Sequence, residues 1–226
     1  MHIEPSVVDG AKIFLSYGTA AAALVGAAWL AMDSARRHGL VQLLGRSVIA
    51  ALLVFCCFEV MPHHPVGVSE VHLIVGTTLF LLFGPAAATI GLAASLLAQG
   101  LFFAPSDLPQ YGMNVTTLLV PLFAIIALAR KIIAPDTAYV DLTYAQTLKL
   151  SMAYQGGIVA WVGFWALYGH GFGAENLAEI ASFGGAYMLV VTVEPLLDLG
   201  VLAIAKALYG LRNSPLLERR LYAAHG

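Results

Sequence analysis

Residues 11–32 read AKIFLSYGTAAAALVGAAWLAM and end at Asp33, Ser34 and the basic cluster Arg36-Arg37-His38. Apart from Lys12 at its start, this run carries no charge, and about 20 helical residues cross a hydrocarbon core of ~30 Å. Working outward, apolar runs recur at 40–61, 71–83, 86–104, 113–129, 148–168 and 180–208. Breaks such as Pro62-His63-His64-Pro65, Gly84-Pro85 and the loop with Pro105 and Pro109 separate them. The run 71–83 is too short to cross as a helix by itself and is read as a short or tilted helix packed inside the bundle. The expected fold is an all-α integral membrane protein of about seven transmembrane helices. It forms a single domain: an N-terminal segment 1–10, a helical bundle 11–209 and a cytoplasmic tail 210–226.

Composition points the same way. Of 226 residues 60% are hydrophobic and only 11% charged, where soluble domains carry about a quarter charged residues. The formal net charge of −2 excludes a basic nucleic-acid binder. The two cysteines, Cys56 and Cys57, are adjacent and form neither a CxxC pair nor a disulfide framework. Residues 1–10 lack the basic stretch that opens a signal peptide, so the first run is read as an uncleaved helix. With the N-terminus outside, ten of the eleven Lys and Arg residues fall on the inner side and only Lys12 on the outer. Lys and Arg collect in cytoplasmic loops, which places the C-terminus in the cytoplasm of a multi-pass cell-membrane protein.

Ionisable groups inside a bilayer cost at least ~2.5 kcal/mol each at a helix centre, so each asks for a reason. Glu194 and Asp198 lie mid-run and four apart, hence on one helix face. They either pair with polar partners to fix packing or line a cation path. Gln99 and Asn114 flank the loop after the fourth run, as bundle hydrogen bonds or as supports around a ligand. Gly18, Ala22 and Gly26 make a small-residue stripe suited to close helix approach, inside the bundle or against a partner.

The histidines carry most of the chemistry. His2, His63, His64, His72 and His170 fall on the expected outer side, and neutral imidazole suits late transition metals. His2 is distinctive. A free α-amine, the amide nitrogen of residue 2 and its Nδ1 close two fused chelate rings, giving three coplanar nitrogens. A fourth nitrogen from another histidine completes the tetragonal site that Ni(II) or Cu(II) favours.

Met1-His2-Ile3 ahead of a membrane bundle resembles the CbiM/NikM family, the substrate-capture components of cobalt and nickel energy-coupling-factor transporters. A central block is similar too: His72-Leu73, Leu82-Phe83-Gly84-Pro85, Gln99 and Gly112-Met113-Asn114, in family order and at family-like spacing. Glu194-Pro195-Leu196-Leu197 is similar to a family Glu-Gly-Leu-Leu. The resemblance implies that Met1, His2 and a further histidine hold a transported Co(II) or Ni(II) ion, with Gln99 and Asn114 supporting the ligands. Spacing to Gly84-Pro85 makes that histidine His72, whereas the local context His64-Pro65-Val66-Gly67 favours His64, and both stay open. Glu4 and Glu70 depart from the family pattern and add acidic oxygens near the mouth.

The resemblance also implies partners: ATPase subunits, a transmembrane coupling subunit and a small accessory membrane subunit. No GxxxxGK[ST] phosphate loop occurs in the chain, so it is expected not to be an enzyme and to need no catalytic cofactor, with ATP hydrolysis left to those partners. Two other classes compete. A proton-coupled secondary metal transporter would use Glu194 and Asp198. A membrane metalloenzyme would use His63, His64 and His170, which show no ligand spacing such as HExxH.

Overall fold

The structure is a computed structural model that describes residues 3–4, 7–61 and 64–211. Met1, His2 and His63 among the candidate ligands therefore lie outside the described residues, as do residues 212–226 of the tail. The described residues form seven α-helices: α1 (Ile13–His38), α2 (Leu40–Phe55), α3 (Gly76–Phe83), α4 (Pro85–Phe102), α5 (Tyr111–Ile132), α6 (Tyr144–His170) and α7 (Ala174–Leu211). A two-stranded antiparallel hairpin, β1 (His64–Val66) and β2 (Ser69–Val71), precedes α3. Six of the helices are long and apolar enough to cross a bilayer; α3 is not.

The chain is an all-α integral membrane protein, and its surface shows why. Phe14, Val25, Trp29, Val41, Leu52, Leu189 and Ile204 stand exposed along α1, α2 and α7, while polar side chains such as Ser16, Thr116, Ser151 and Gln155 are buried. Lipid tails are as apolar as leucine, so burial here follows packing and hydrogen bonding rather than a retreat from water. Helix α5 is the central element, with an unbroken buried stretch from Gly112 to Leu119. Small residues set the close approaches. A Cβ on Gly112 would stand 2.8 Å from the carbonyl oxygen of Ser16 on α1. One on Gly91 of α4 would stand 2.6 Å from Ala50 Cβ of α2. The inner face of α1 is Ser16, Ala20, Ala23 and Ala27; Gly18 and Ala22 of the small-residue stripe are exposed and only Gly26 turns partly inward.

The short α3 is the second half of a crossing leg. At one end of the bundle, Leu30 and Ala35 of α1, Leu43 of α2 and Phe83, Ala86 and Ala87 around the α3–α4 junction share one apolar cluster. Phe80 and Pro85 share a cleft with Arg130 and residues 133–137 after α5, and Lys206 of α7 donates to the carbonyl of Val140 at 2.6 Å. At the opposite end, Lys12 donates to the carbonyl of Gly169 at 2.6 Å and Tyr17 to that of Pro109 at 3.2 Å. The hairpin lies at that second end, where a Cβ on Gly67 would run into the backbone of Glu179. The chain must therefore pass from end to end between Val71 and Gly84. Four residues at ~3.3 Å and the eight of α3 at ~1.5 Å reach about 25 Å, most of a bilayer core. Among the described residues Arg36, Arg37, Arg46, Arg130, Lys131, Lys149 and Lys206 mark the first end and Lys12 the second.

Candidate functional site

His72 sits where the hairpin hands over to α3. It is buried, its Nδ1 lies 3.1 Å from the carbonyl oxygen of Leu73, and its ring meets Phe58 edge-on at 4.5 Å between centroids. Phe58 is carried by a π-helical turn (Cys56–Val60) that ends α2, a widening often found at functional sites. Residues 72–75 belong to neither strand nor helix, so their amides need partners outside any regular ladder. Val75 takes the left-handed conformation (φ 55°, ψ 26°), which costs a β-branched residue of order 1–3 kcal/mol and persists only where neighbours impose it.

Those neighbours come from α7. Glu194 accepts from the amide of Ile74 and from Nε2 of Gln155, and its carboxylate also faces the amide of Val75. Gln155 is held in turn by Tyr187, whose hydroxyl donates to its Oε1 at 2.7 Å. One turn further on, Thr78 of α3 donates its hydroxyl to Asp198. Both carboxylates thus meet the N-terminal end of a helix that begins inside the bundle, where orphan amides and the helix dipole favour negative charge. These contacts supply the polar partners that the packing reading asks for. Gln155 and Tyr187 were not singled out from sequence, although a glutamine amid the apolar run 148–168 is a visible signal.

The segment before α1 also enters the bundle. Ile3 is buried, its amide donates to Oδ1 of Asn114 at 2.8 Å, and it pairs antiparallel with Ser69 of β2. The amide of Glu4 donates to the carbonyl of Val68 at 3.2 Å. Val7 and Val8 are buried, and a Cβ on Gly169 would overlap the Val7 carbonyl oxygen, so only glycine there lets the segment lie against α6. Asn114 therefore holds the residue that directly follows His2. Gln99, on α4, is buried as well.

His64 is exposed on β1 and pairs with Val71, the residue before His72. His64 and His72 line one cleft of about 570 Å³ with Met61, Leu73 and apolar residues of α7 that include Val190 and Val193. Its two imidazoles and one thioether are set in an otherwise apolar wall. His170 ends α6 at the same end of the bundle, beside Gly169. Among the described residues no group of three or more His, Cys, Asp or Glu is placed to hold a metal ion.

Comparison with known proteins is consistent with this arrangement. The family model described as "cobalt uptake substrate-specific transmembrane region" matches residues 2–209. Comparison with curated protein sequences gives no match. Two solved structures have a similar fold. The crystal structure of a truncated transition metal transporter aligns with a TM-score of 0.66 at 17% identity, over 94% of this chain and 99% of that one. The crystal structure of a transition metal transporter aligns with a TM-score of 0.62 at 17% identity, over 98% of each chain.

Proposed function

The chain belongs to the family of cobalt-uptake substrate-specific transmembrane regions, and from that premise we propose that it captures Co(II) or Ni(II) for an energy-coupling-factor importer. It is a multi-pass membrane component of a metal transport system. In our reading it sits in the cell membrane with its basic end in the cytoplasm. The ion is cargo. Its ligands are the amino group and amide nitrogens contributed by Met1 and His2, the His2 imidazole, and His72.

One observation carries the reading: Asn114 and Ser69 hold Ile3 inside the bundle. The residue that directly follows His2 in the chain is thus anchored by a buried, hydrogen-bonded amide. Ile3 also bridges to Ser69 of β2, the strand that runs directly into His72. Asn114 then acts on the ligands at one remove, by holding the peptide that carries them. His64 is the weaker candidate for the fourth nitrogen because it is exposed where His72 is buried. ATP hydrolysis falls to partner ATPases acting through a transmembrane coupling subunit.

The test is calorimetry with Ni(II) and Co(II) on protein with a native, untagged N-terminus, repeated with one residue added before Met1. Tight binding that the extension abolishes, and that His2→Ala and His72→Ala abolish too, is the expected result. Wild-type affinity in all three would remove the amino-terminal site and transfer attention to His64 and Met61.

A further inference from the structure

Building on that assignment of His72, we propose that Glu194 is the positioning residue for this ligand: braced by Gln155 and Tyr187, it fixes residues 72–75 and ties His72 to α7. The strap has no ladder of its own. The amide two residues after His72 is satisfied by Glu194 Oε1, and the next residue, Val75, is held in a conformation that valine does not adopt unaided. The second carboxylate oxygen is taken by Gln155, which fixes the carboxylate plane, and Tyr187 fixes Gln155. Phe58 meets the His72 ring edge-on. Loosening Glu194 therefore frees the backbone that aims the imidazole without touching any atom of the ligand set.

The hydrogen-bond chemistry makes the chain of contacts separable. Glu194→Ala removes both acceptors. Glu194→Gln keeps one acceptor for Ile74 but turns an NH2 group toward the NH2 of Gln155. Gln155 can answer by flipping, which leaves the Tyr187 hydroxyl hydrogen without an acceptor. The exchanged pair Glu194→Gln with Gln155→Glu restores every bond. The amide now on α7 accepts from Ile74 and donates to the carboxylate now on α6, and that carboxylate accepts from Tyr187.

The experiment measures Ni(II) affinity and the Ni(II) absorption bands of the full-length protein in detergent, with hydrogen exchange followed on peptides spanning residues 72–76. Supporting residues around metal ligands typically contribute about 10- to 100-fold in affinity. Glu194→Ala is expected to show that loss, Glu194→Gln an intermediate one, and the exchanged pair a return to within about threefold of wild type. Exchange at 72–76 should rise and fall in the same order. Asp198→Asn is an equally buried change on the same helix that reaches Thr78 rather than the strap. It should leave the absorption bands unchanged, which a general loss of packing would not. If Glu194→Ala does not fold, Tyr187→Phe removes only the outermost brace and should still speed exchange at 72–76. Wild-type affinity and exchange in all Glu194 variants, with His72→Ala losing the metal, would overturn this proposal and leave the site standing. Retention of the metal by His72→Ala would overturn the site itself.

Discussion

In an Asn114→Ala variant the amide of Ile3 stays in the bundle interior but loses the oxygen it donates to at 2.8 Å. A buried donor left without a partner costs about 1–3 kcal/mol. Whether that cost is felt depends on what else holds the segment. The side chains of Ile3, Val7 and Val8 are buried, each contributing about 1.5–3 kcal/mol. Ordering the backbone of Ile3, Glu4, Val7 and Val8 opposes this by about 1–2 kcal/mol per residue. The two sums nearly cancel, so docking of the segment is marginal and the missing bond shifts it almost in full. At 1.4 kcal/mol per factor of ten the docked-to-undocked ratio falls about 5- to 150-fold. Apparent metal affinity follows the fraction of competent protein, so it is expected to fall by up to the same factor. The assay is competition against a chromophoric chelator for Ni(II) and Co(II), with native-N-terminus protein and hydrogen exchange over the segment before α1 as the second readout. Affinity within twofold of wild type, with exchange unchanged, would refute the view that this bond holds the segment.

Three further outcomes follow from the packing. Gly169→Ala places a methyl on the Val7 carbonyl and should release the same segment, raising its exchange and lowering metal affinity while α6 keeps its helicity by circular dichroism. Gly112→Ala presses on the backbone of Ser16 and should destabilise the α1–α5 contact by about 1–3 kcal/mol, read as a lower thermal midpoint in detergent. Burial, with a contribution from the Asp198 carboxylate, pushes the Tyr139 hydroxyl up to about 12, and among the described residues that buried oxygen has no hydrogen-bond partner. Tyr139→Phe should therefore leave thermal stability unchanged or raise it slightly, and a drop of more than about 1 kcal/mol would show that the hydroxyl is used.

Hydropathy made the long helices legible, because a bilayer demands uninterrupted apolar length and the chain supplies it. Boundaries moved outward where amphipathic ends continue the helix: the run 113–129 becomes Tyr111–Ile132, and 180–208 becomes Ala174–Leu211. The hairpin was not legible. Its strands are three residues each, too short for a period-2 pattern, and it is closed by Gly67 at φ 58° against the backbone of α7. Gly112-Met113-Asn114 was legible only as a resemblance. The structure supplies the reason for its spacing: the glycine admits α1, and less than one turn on the asparagine faces the N-terminal segment. No local pattern reveals that a residue 111 positions away accepts from Ile3.

Glu194 and Asp198 pose a question in the sequence, and packing shows which partners they meet. Ile74 and Thr78 are four apart, as are Glu194 and Asp198, and each pair of partners is separated by 120 positions. Matching spacing on two elements that run toward the same end of the bundle is what side-by-side capping of a broken helix requires. A helix that starts inside a membrane exposes amides that lipid cannot satisfy, each at a cost of several kcal/mol. Two acidic residues on the neighbouring helix are a direct remedy. A proton relay through the same carboxylates would have to break these bonds in each cycle, freeing the strap that carries His72. Relay and capture thus make opposite demands on Glu194. Uptake that survives Glu194→Gln with Gln155→Glu, where the charge has moved to α6 but every bond is kept, would identify the carboxylate as structural. Uptake lost in that pair with Ni(II) affinity intact would give it a second task in transport.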